Sequence, residues 1–181
     1  MKWLFAKITE LSDCEYTAIY NALSPSRKNH IDRMKHRDDQ LRSLAAQHLL
    51  NRLRADFSAG TAVLETGEDG KPFLRGSNLH VSISHSNEGV ACAVSETPVG
   101  IDIEKVRSVP DRLIDYVCTD AEKAFVLDAP EVIHINFFKV WTAKEAYVKK
   151  HGCGIKQALC VDTLSLCKEV FTIEDYIVTV L

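Results

Sequence analysis

Asp102 and Glu104 stand two residues apart in the run Val99-Gly-Ile-Asp-Ile-Glu104. Strand alternation puts Val99, Ile101 and Ile103 on one face and Gly100, Asp102 and Glu104 on the other. Two carboxylates so placed lie about 7 Å apart and repel each other when both ionise. A hard divalent cation relieves that repulsion, and Mg²⁺ takes one or two carboxylates together with waters and phosphate oxygens. The solvent face of an edge strand would carry the same pair, and on this segment alone the two readings balance.

A third carboxylate tips the balance. In Phe138-Lys-Val-Trp-Thr-Ala-Lys-Glu-Ala-Tyr-Val-Lys149, the residues Phe138, Trp141, Glu145 and Val148 recur at helical spacing. That spacing puts Glu145 in the middle of an apolar face. A carboxylate there is costly without a partner or a metal. An i,i+4 pair with Lys149 is the plainer reading. With Asp102 and Glu104 the sharper one is a three-carboxylate cation site. Ser84-His85 ends a strand before a turn, where a histidine is more often structural, and Gly70-Lys71-Pro72 taken alone is a turn.

The basic residues are unevenly placed. Between Arg27 and Arg54 stand eight Lys or Arg against three Asp, a local +5 in a chain of net charge −3. One basic element in an acidic protein suggests a local anion site, against the plainer solvated helix face. It does not suggest a nucleic-acid coat, since aromatic interleaving is absent. No Gly-x-x-x-x-Gly-Lys-Ser/Thr loop occurs. The six cysteines form no C-x-x-C pair and no zinc spacing, and read as reduced, mostly buried thiols. Only four consecutive apolar residues, Trp3 to Ala6, precede Lys7, too few for a signal-peptide core or a membrane span, so a cytoplasmic protein without membrane contact is expected.

These residues need elements to hold them. The chain has 181 residues, 46% of them hydrophobic and 26% charged, which excludes disorder and permits one large domain or two packed lobes. A strand is expected over 2–10. Ser12 with Glu15 forms a capping box for a helix carrying Tyr16, Ile19, Tyr20 and Leu23. Ser24-Pro25 starts a second helix, with Ile31 and Met34 on one side. A further helical run spans Leu41 to Leu53. Strands are expected at 61–66, with a turn over Gly67–Gly70, then at 79–85, 90–94 and 99–104. Thr119 with Glu122 caps a helix through Leu127, and Asn136 to Lys150 is the strongest helix, ended by Gly152 and Gly154. The segments Cys160–Leu166 and Glu169–Leu181 read as two strands. Strands and helices interleaved without regular alternation argue α+β.

In order and spacing, several of these pieces resemble one family. Gly70-Lys-Pro72, Ile83-Ser-His-Ser86, Val99-Gly-Ile-Asp-Ile-Glu104, Trp141-Thr-Ala-Lys-Glu-Ala-Tyr-Val-Lys149 and Gly152-Cys-Gly154 are similar to motifs of the 4′-phosphopantetheinyl transferases. The type resembled is the single-chain, surfactin-synthetase-activating one, from about Ser24 to Gly154. The resemblance implies transfer of the phosphopantetheine arm of coenzyme A to a serine of an apo acyl or peptidyl carrier protein, releasing 3′,5′-ADP. It implies two similar α+β lobes in one chain, a pseudo-dimer with coenzyme A in the cleft between them, divided here as 1–97 and 98–181. A monomer is expected.

By matching positions, Asp102, Glu104 and Glu145 would hold Mg²⁺, or Mn²⁺ in its place. Glu145 would accept the serine proton, directly or through water, and Lys149 would contact the phosphate transferred. Ser84 and His85 would hold phosphates of coenzyme A, Lys71 and Pro72 would line the adenine side, and Arg27 and Arg42 would grip the 3′-phosphate. The sequence departs from the family at His30, where relatives often carry a second Lys, and it ends about two strands after Gly154, so a trimmed second lobe is expected. A coenzyme A- or nucleotide-binding module without turnover is the alternative; the three carboxylates together favour the enzyme.

Overall fold

The computed structural model describes residues 1–57, 62–67 and 70–181. The chain runs β1 (Lys2–Lys7), α1 (Asp13–Asn21), α2 (Pro25–Asp32), α3 (Arg37–Asp56), β2 (Val63–Thr66), β3 (Pro72–Arg75), β4 (His80–Ser86) and β5 (Gly89–Ser95). It continues with β6 (Ile101–Lys105), α4 (Asp111–Val117), α5 (Asp120–Leu127), α6 (Ile133–His151), α7 (Ile155–Leu159), β7 (Glu169–Ile173) and β8 (Tyr176–Val180). This is an α+β protein, as the interleaving predicts. Both capping boxes form, Ser12 with Glu15 and Thr119 with Glu122. Ser24 caps α2 with Pro25 in its first turn. Gly152 ends α6 at φ 64°, a left-handed conformation that costs glycine little.

Two antiparallel sheets of three strands carry the core, in the orders β1-β5-β4 and β6-β8-β7, with β2 and β3 as a separate ribbon. α3 lays Ala45, Leu49, Leu50 and Leu53 against Val81, Val90, Cys92 and Val94. The opposite face of β5 presents Ala91 and Ala93 to Ile101, Ile103, Tyr176 and Val178 of the second sheet. Ile177, on the far side of β8, packs with Phe137, Phe138 and Val140 of α6. The layers therefore stack as α3, first sheet, second sheet, α6. Each large apolar side chain buried here contributes about 1.5–3 kcal/mol.

Two local devices hold β4, β6 and α6 together. Among the described residues β6 pairs only with β8, so its outer edge would leave backbone donors unmet. Serines of β4 meet them: Ile101 N–H donates to Ser82 Oγ (3.0 Å) and Lys105 N–H to Ser86 Oγ (3.2 Å). On the other side, α6 crosses β6 at Gly100, where a Cβ would lie 1.9 Å from the carbonyl oxygen of Ala146. Only glycine admits that approach.

The structure corrects several expectations. Residues 160–166 form no strand: a turn leads into a 3₁₀ turn over Thr163–Ser165, capped by Asp162. Residues 169–181 form a hairpin and not one strand, reversed at Glu174 with φ 52°, where Glu174 and Asp175 turn the chain without a glycine or proline to mark it. β1 stops at Lys7 and a 3₁₀ turn follows. Met34 falls beyond α2, and α6 begins at Ile133, three residues early. β3, α4 and α7 are too short to show a period. Thr61, and Glu68 and Asp69 of the expected turn, lie outside the described residues. The cysteines are all free, but of the six only Cys92 is buried; Cys14, Cys160 and Cys167 are exposed. Among the described residues no helix is long and apolar enough to cross a membrane.

Candidate active site

Asp102 faces α6 from β6 and is nearly buried, at 5% exposure. Its Oδ1 accepts two bonds of 2.7 Å, from Ser84 Oγ on β4 and from Lys149 Nζ on α6. Its Oδ2 is buried with no partner among the described residues. Glu104, two residues on, accepts at Oε2 from Ser86 Oγ (2.6 Å) and Arg107 (3.1 Å). Ser84 and Ser86 thus align the two carboxylates with the same strand that satisfies the edge of β6.

Glu145 lies one turn before Lys149 on α6. It is half-buried at the margin of the packed face, not at its centre as the spacing predicts. The line that goes fully under is Phe138, Thr142 and Ala146. Glu145 makes no hydrogen bond among the described residues. Burial pushes its carboxyl up, and the charges of Asp102 and Glu104 push it further, against Lys149. Asp102 is likewise raised, first by burial, with Lys149 and Ser84 opposing. The carboxylates therefore sense one another although no bond joins them.

The plainer alternative, an i,i+4 pair of Glu145 with Lys149, does not form. Its ammonium reaches Asp102, 47 positions away in sequence. Two further contacts fix α6 beneath the site. Thr142 Oγ1 lies 2.7 Å from Thr179 Oγ1, and Thr179 pairs with Asp102 across β8 and β6. Lys144 is fully buried, 2.8 Å from Glu122, with Val161 O accepting at 2.7 Å and the carbonyls of Ala158 and Leu159 close by. Glu122 also accepts from Thr119 N–H and from Thr163. Burial drives its carboxyl up, yet these bonds outweigh it and leave it below the usual value. Sequence reasoning reads Glu122 only as a cap; a Lys inside a helix that is otherwise packed all round was the signal for its partner.

The remaining candidates line one continuous cleft. A cavity of about 470 Å³ is bounded by Arg27, His30, Arg42, Ser43, Pro72 and His85. It adjoins a second of about 330 Å³, bounded by Lys71, Ser82, Val148, Lys149, Gly152 and Cys153. Gly70, Pro72 and Ile83 belong to both. Arg27 donates through Nη2 to Ser43 Oγ (2.8 Å); Arg42 donates to Asp39 (2.5 Å) and to Asn87 O (2.8 Å). The Nε of each is buried without a partner among the described residues. His30 and His85 have lowered pKa values, from burial first and from neighbouring arginines, with Lys149 adding to His85. Both imidazoles are therefore uncharged near neutral pH.

No three acidic, His or Cys side chains among the described residues converge as a ready-made metal cage. A cation that keeps waters and takes phosphate oxygens needs no such cage. The orphaned Oδ2 of Asp102 and the unpartnered Glu145, both raised in pKa first by burial and further by neighbouring carboxylates, fit a hard divalent cation.

The profile of the 4′-phosphopantetheinyl transferase superfamily matches residues 98–175, the stretch holding Asp102, Glu104, Glu145 and Lys149. The chain is 28% identical over 160 residues to the 4′-phosphopantetheinyl transferase gsp of Aneurinibacillus migulanus, covering 86% of this chain and 67% of that protein. It is 27% identical over 161 residues to Sfp of Bacillus subtilis strain 168, covering 86% and 71%. The chain resembles the 4′-phosphopantetheinyl transferase superfamily over most of its length. A third member, AcpT of Salmonella typhimurium, is 34% identical over 125 residues, 61% of this chain and 65% of that one. Within the superfamily, the similarity to gsp and Sfp extends beyond the matched C-terminal stretch into the helices that carry Arg27 and Arg42, since it covers most of this chain.

Proposed function

We propose that this protein transfers the 4′-phosphopantetheine arm of coenzyme A to a serine hydroxyl of an apo acyl or peptidyl carrier protein, giving the holo carrier and 3′,5′-ADP. The observation that carries the reading is the cleft. It runs from two arginines and two neutral imidazoles at one end to Lys149, which bonds the Asp102 carboxylate, at the other. That is a run of cationic and polar groups along which a multiply phosphorylated ligand can lie. Both sheets share one order, in which the first strand pairs with the last of a following hairpin. This supports two similar lobes, 1–97 and 98–181, with the ligand between them. The enzyme works as a monomer in the cytoplasm.

In the reaction, the carrier serine oxygen forms a bond to the phosphorus that bears the pantetheine arm. The bond from that phosphorus to the bridging oxygen of the pyrophosphate breaks, and the electron pair leaves with 3′,5′-ADP. The serine proton passes to Glu145, directly or through water. A carboxylate with a raised pKa is the better base for this. Lys149 faces the cleft and neutralises the phosphoryl group as it moves. Arg27, Arg42, Ser84 and His85 orient the phosphates, and Lys71 with Pro72 borders the adenine. Mg²⁺, with Mn²⁺ able to replace it, would be held by Asp102, Glu104 and Glu145 and would supply charge neutralisation on the pyrophosphate.

Intact-mass spectrometry of apo carrier proteins incubated with this protein, coenzyme A and Mg²⁺ tests the reading. A gain of one phosphopantetheine per carrier is expected. An unchanged carrier mass across acyl and peptidyl carriers, with coenzyme A bound to the protein, would leave a binding module without turnover.

A further inference from the structure

Lys149 has two claims on its one charge. Its Nζ bonds Asp102 at 2.7 Å, where the carboxylate side chain is 7% exposed, and the same side chain borders the cleft. Glu145, its natural helical partner one turn away, is left without that bond. The ammonium instead crosses from α6 to β6 and neutralises the most buried carboxylate of the site. A divalent cation and an ammonium on one carboxylate repel each other strongly in a partly dry environment. An anion in the cleft competes for the same ammonium from the other side.

We infer that Lys149 makes cation binding at the carboxylates conditional on the pyrophosphate donor: it occupies Asp102 until a phosphate draws it into the cleft. The inference rests on the reading that Asp102 and Glu145 take a divalent cation. Its consequence is that cation and coenzyme A bind cooperatively. Each raises the affinity for the other, and by the same factor, as linkage demands. Lys149 is then more than a phosphate contact. It keeps the carboxylates from holding a cation when there is no donor for that cation to serve. The orphaned Oδ2 of Asp102 agrees with this, since the ammonium covers one oxygen and leaves the other for a newcomer.

The test measures Mn²⁺ binding by electron paramagnetic resonance of the free ion, with no carrier protein present, at mildly alkaline pH. Wild type, Lys149→Met and Lys149→Gln are compared with and without coenzyme A, correcting for Mn²⁺ held by free coenzyme A. Without coenzyme A, both variants should bind Mn²⁺ about ten-fold or more tightly than wild type, the scale of one charge-assisted bond. Coenzyme A should then tighten Mn²⁺ binding to wild type by more than it does for either variant. A side chain that only contacts phosphate predicts no gain in the first comparison. If neither variant binds Mn²⁺ more tightly than wild type without coenzyme A, the inference is wrong. Asp102→Asn separates this from failure of the underlying reading. Loss of Mn²⁺ binding in that variant keeps the carboxylate site whatever Lys149 does; unchanged binding removes the site and the inference together.

Discussion

Gly100 and Ala146 bring two backbones into contact. A Cβ on Gly100 would meet the Ala146 carbonyl oxygen at 1.9 Å and Lys150 N at 2.8 Å. Glycine at this position therefore sets how closely α6 lies on β6, and with it the distance from Glu145 and Lys149 to Asp102. The obstacles are helix backbone, which cannot rotate away as a side chain would. Gly100→Ala should push α6 outward, destabilising the fold by about 1–3 kcal/mol. Displacing two site residues by about 1 Å should lower turnover about a hundred-fold. Thermal unfolding and transfer assays on the same preparation check both. Normal turnover in a folded Gly100→Ala variant would show that the separation of α6 from β6 is not critical.

The buried pair Glu122–Lys144 makes a prediction about stability. Both side chains are fully buried and every polar atom of the pair has a partner. Removing one partner leaves an uncompensated charge, so Lys144→Met should cost about 3–5 kcal/mol. The Glu122 carboxyl sits below its ordinary 4.5. The folded state thus favours its ionised form. Its contribution is present above that ordinary value and is lost as the pH falls through the lower folded one. Urea unfolding across the acid range should show Glu122→Gln less stable at neutral pH, with a shallower acid loss than wild type. An identical acid slope in the two would rule out this carboxylate as a source of the pH dependence.

Glu145 is displaced the other way. Burial and the Asp102 charge hold its proton to a pH above the ordinary 4.5. Transfer should therefore fall, as the solution is acidified, at a higher pH than an unperturbed glutamate would give. A cation on the carboxylates favours the ionised form, so raising Mg²⁺ should move that acid limb to lower pH. Glu145→Gln should lower kcat about 10²- to 10⁴-fold and erase the limb. The profile is read at saturating coenzyme A and carrier. A limb that ignores Mg²⁺ would separate Glu145 from the cation.

The site was legible in sequence where its logic is local. The alternation around Asp102 and Glu104 and the helical spacing around Glu145 and Lys149 put each on the right kind of element. What spacing could not show was partners from distant segments. Lys149 pairs with Asp102 and Lys144 with Glu122, each across elements far apart in the chain. The local alternative, Glu145 with Lys149, looked complete and was wrong. Ser82 falls within an expected strand and Ser86 in the turn after it, yet both close the edge of β6. The fold was least legible at its short elements and at the β7–β8 turn, where Glu174 and Asp175 reverse the chain without glycine or proline.

Arg42 offers the sharpest choice between a structural and a binding role. It borders the larger cavity, yet its guanidinium already bonds Asp39 and the Asn87 carbonyl. If those bonds are its whole purpose, it braces α3 against the β4–β5 turn and the ligand does not sense its loss. If it also takes the 3′-phosphate of coenzyme A, the planar guanidinium shares donors between Asp39 and the phosphate. That phosphate lies far from the bond being broken, so the contact should act alike on ground and transition states. Arg42→Ala should then raise KM for coenzyme A about 10- to 150-fold, the scale of one charged hydrogen-bonded contact, with a smaller change in kcat. It should also discriminate less between coenzyme A and its 3′-dephospho form, because the lost partner is the group by which they differ. Arg27→Ala provides a parallel case in which only Ser43 is disconnected. Steady-state kinetics with both donors separates the roles. Undiminished discrimination in Arg42→Ala would assign Arg42 to Asp39 and Asn87 alone.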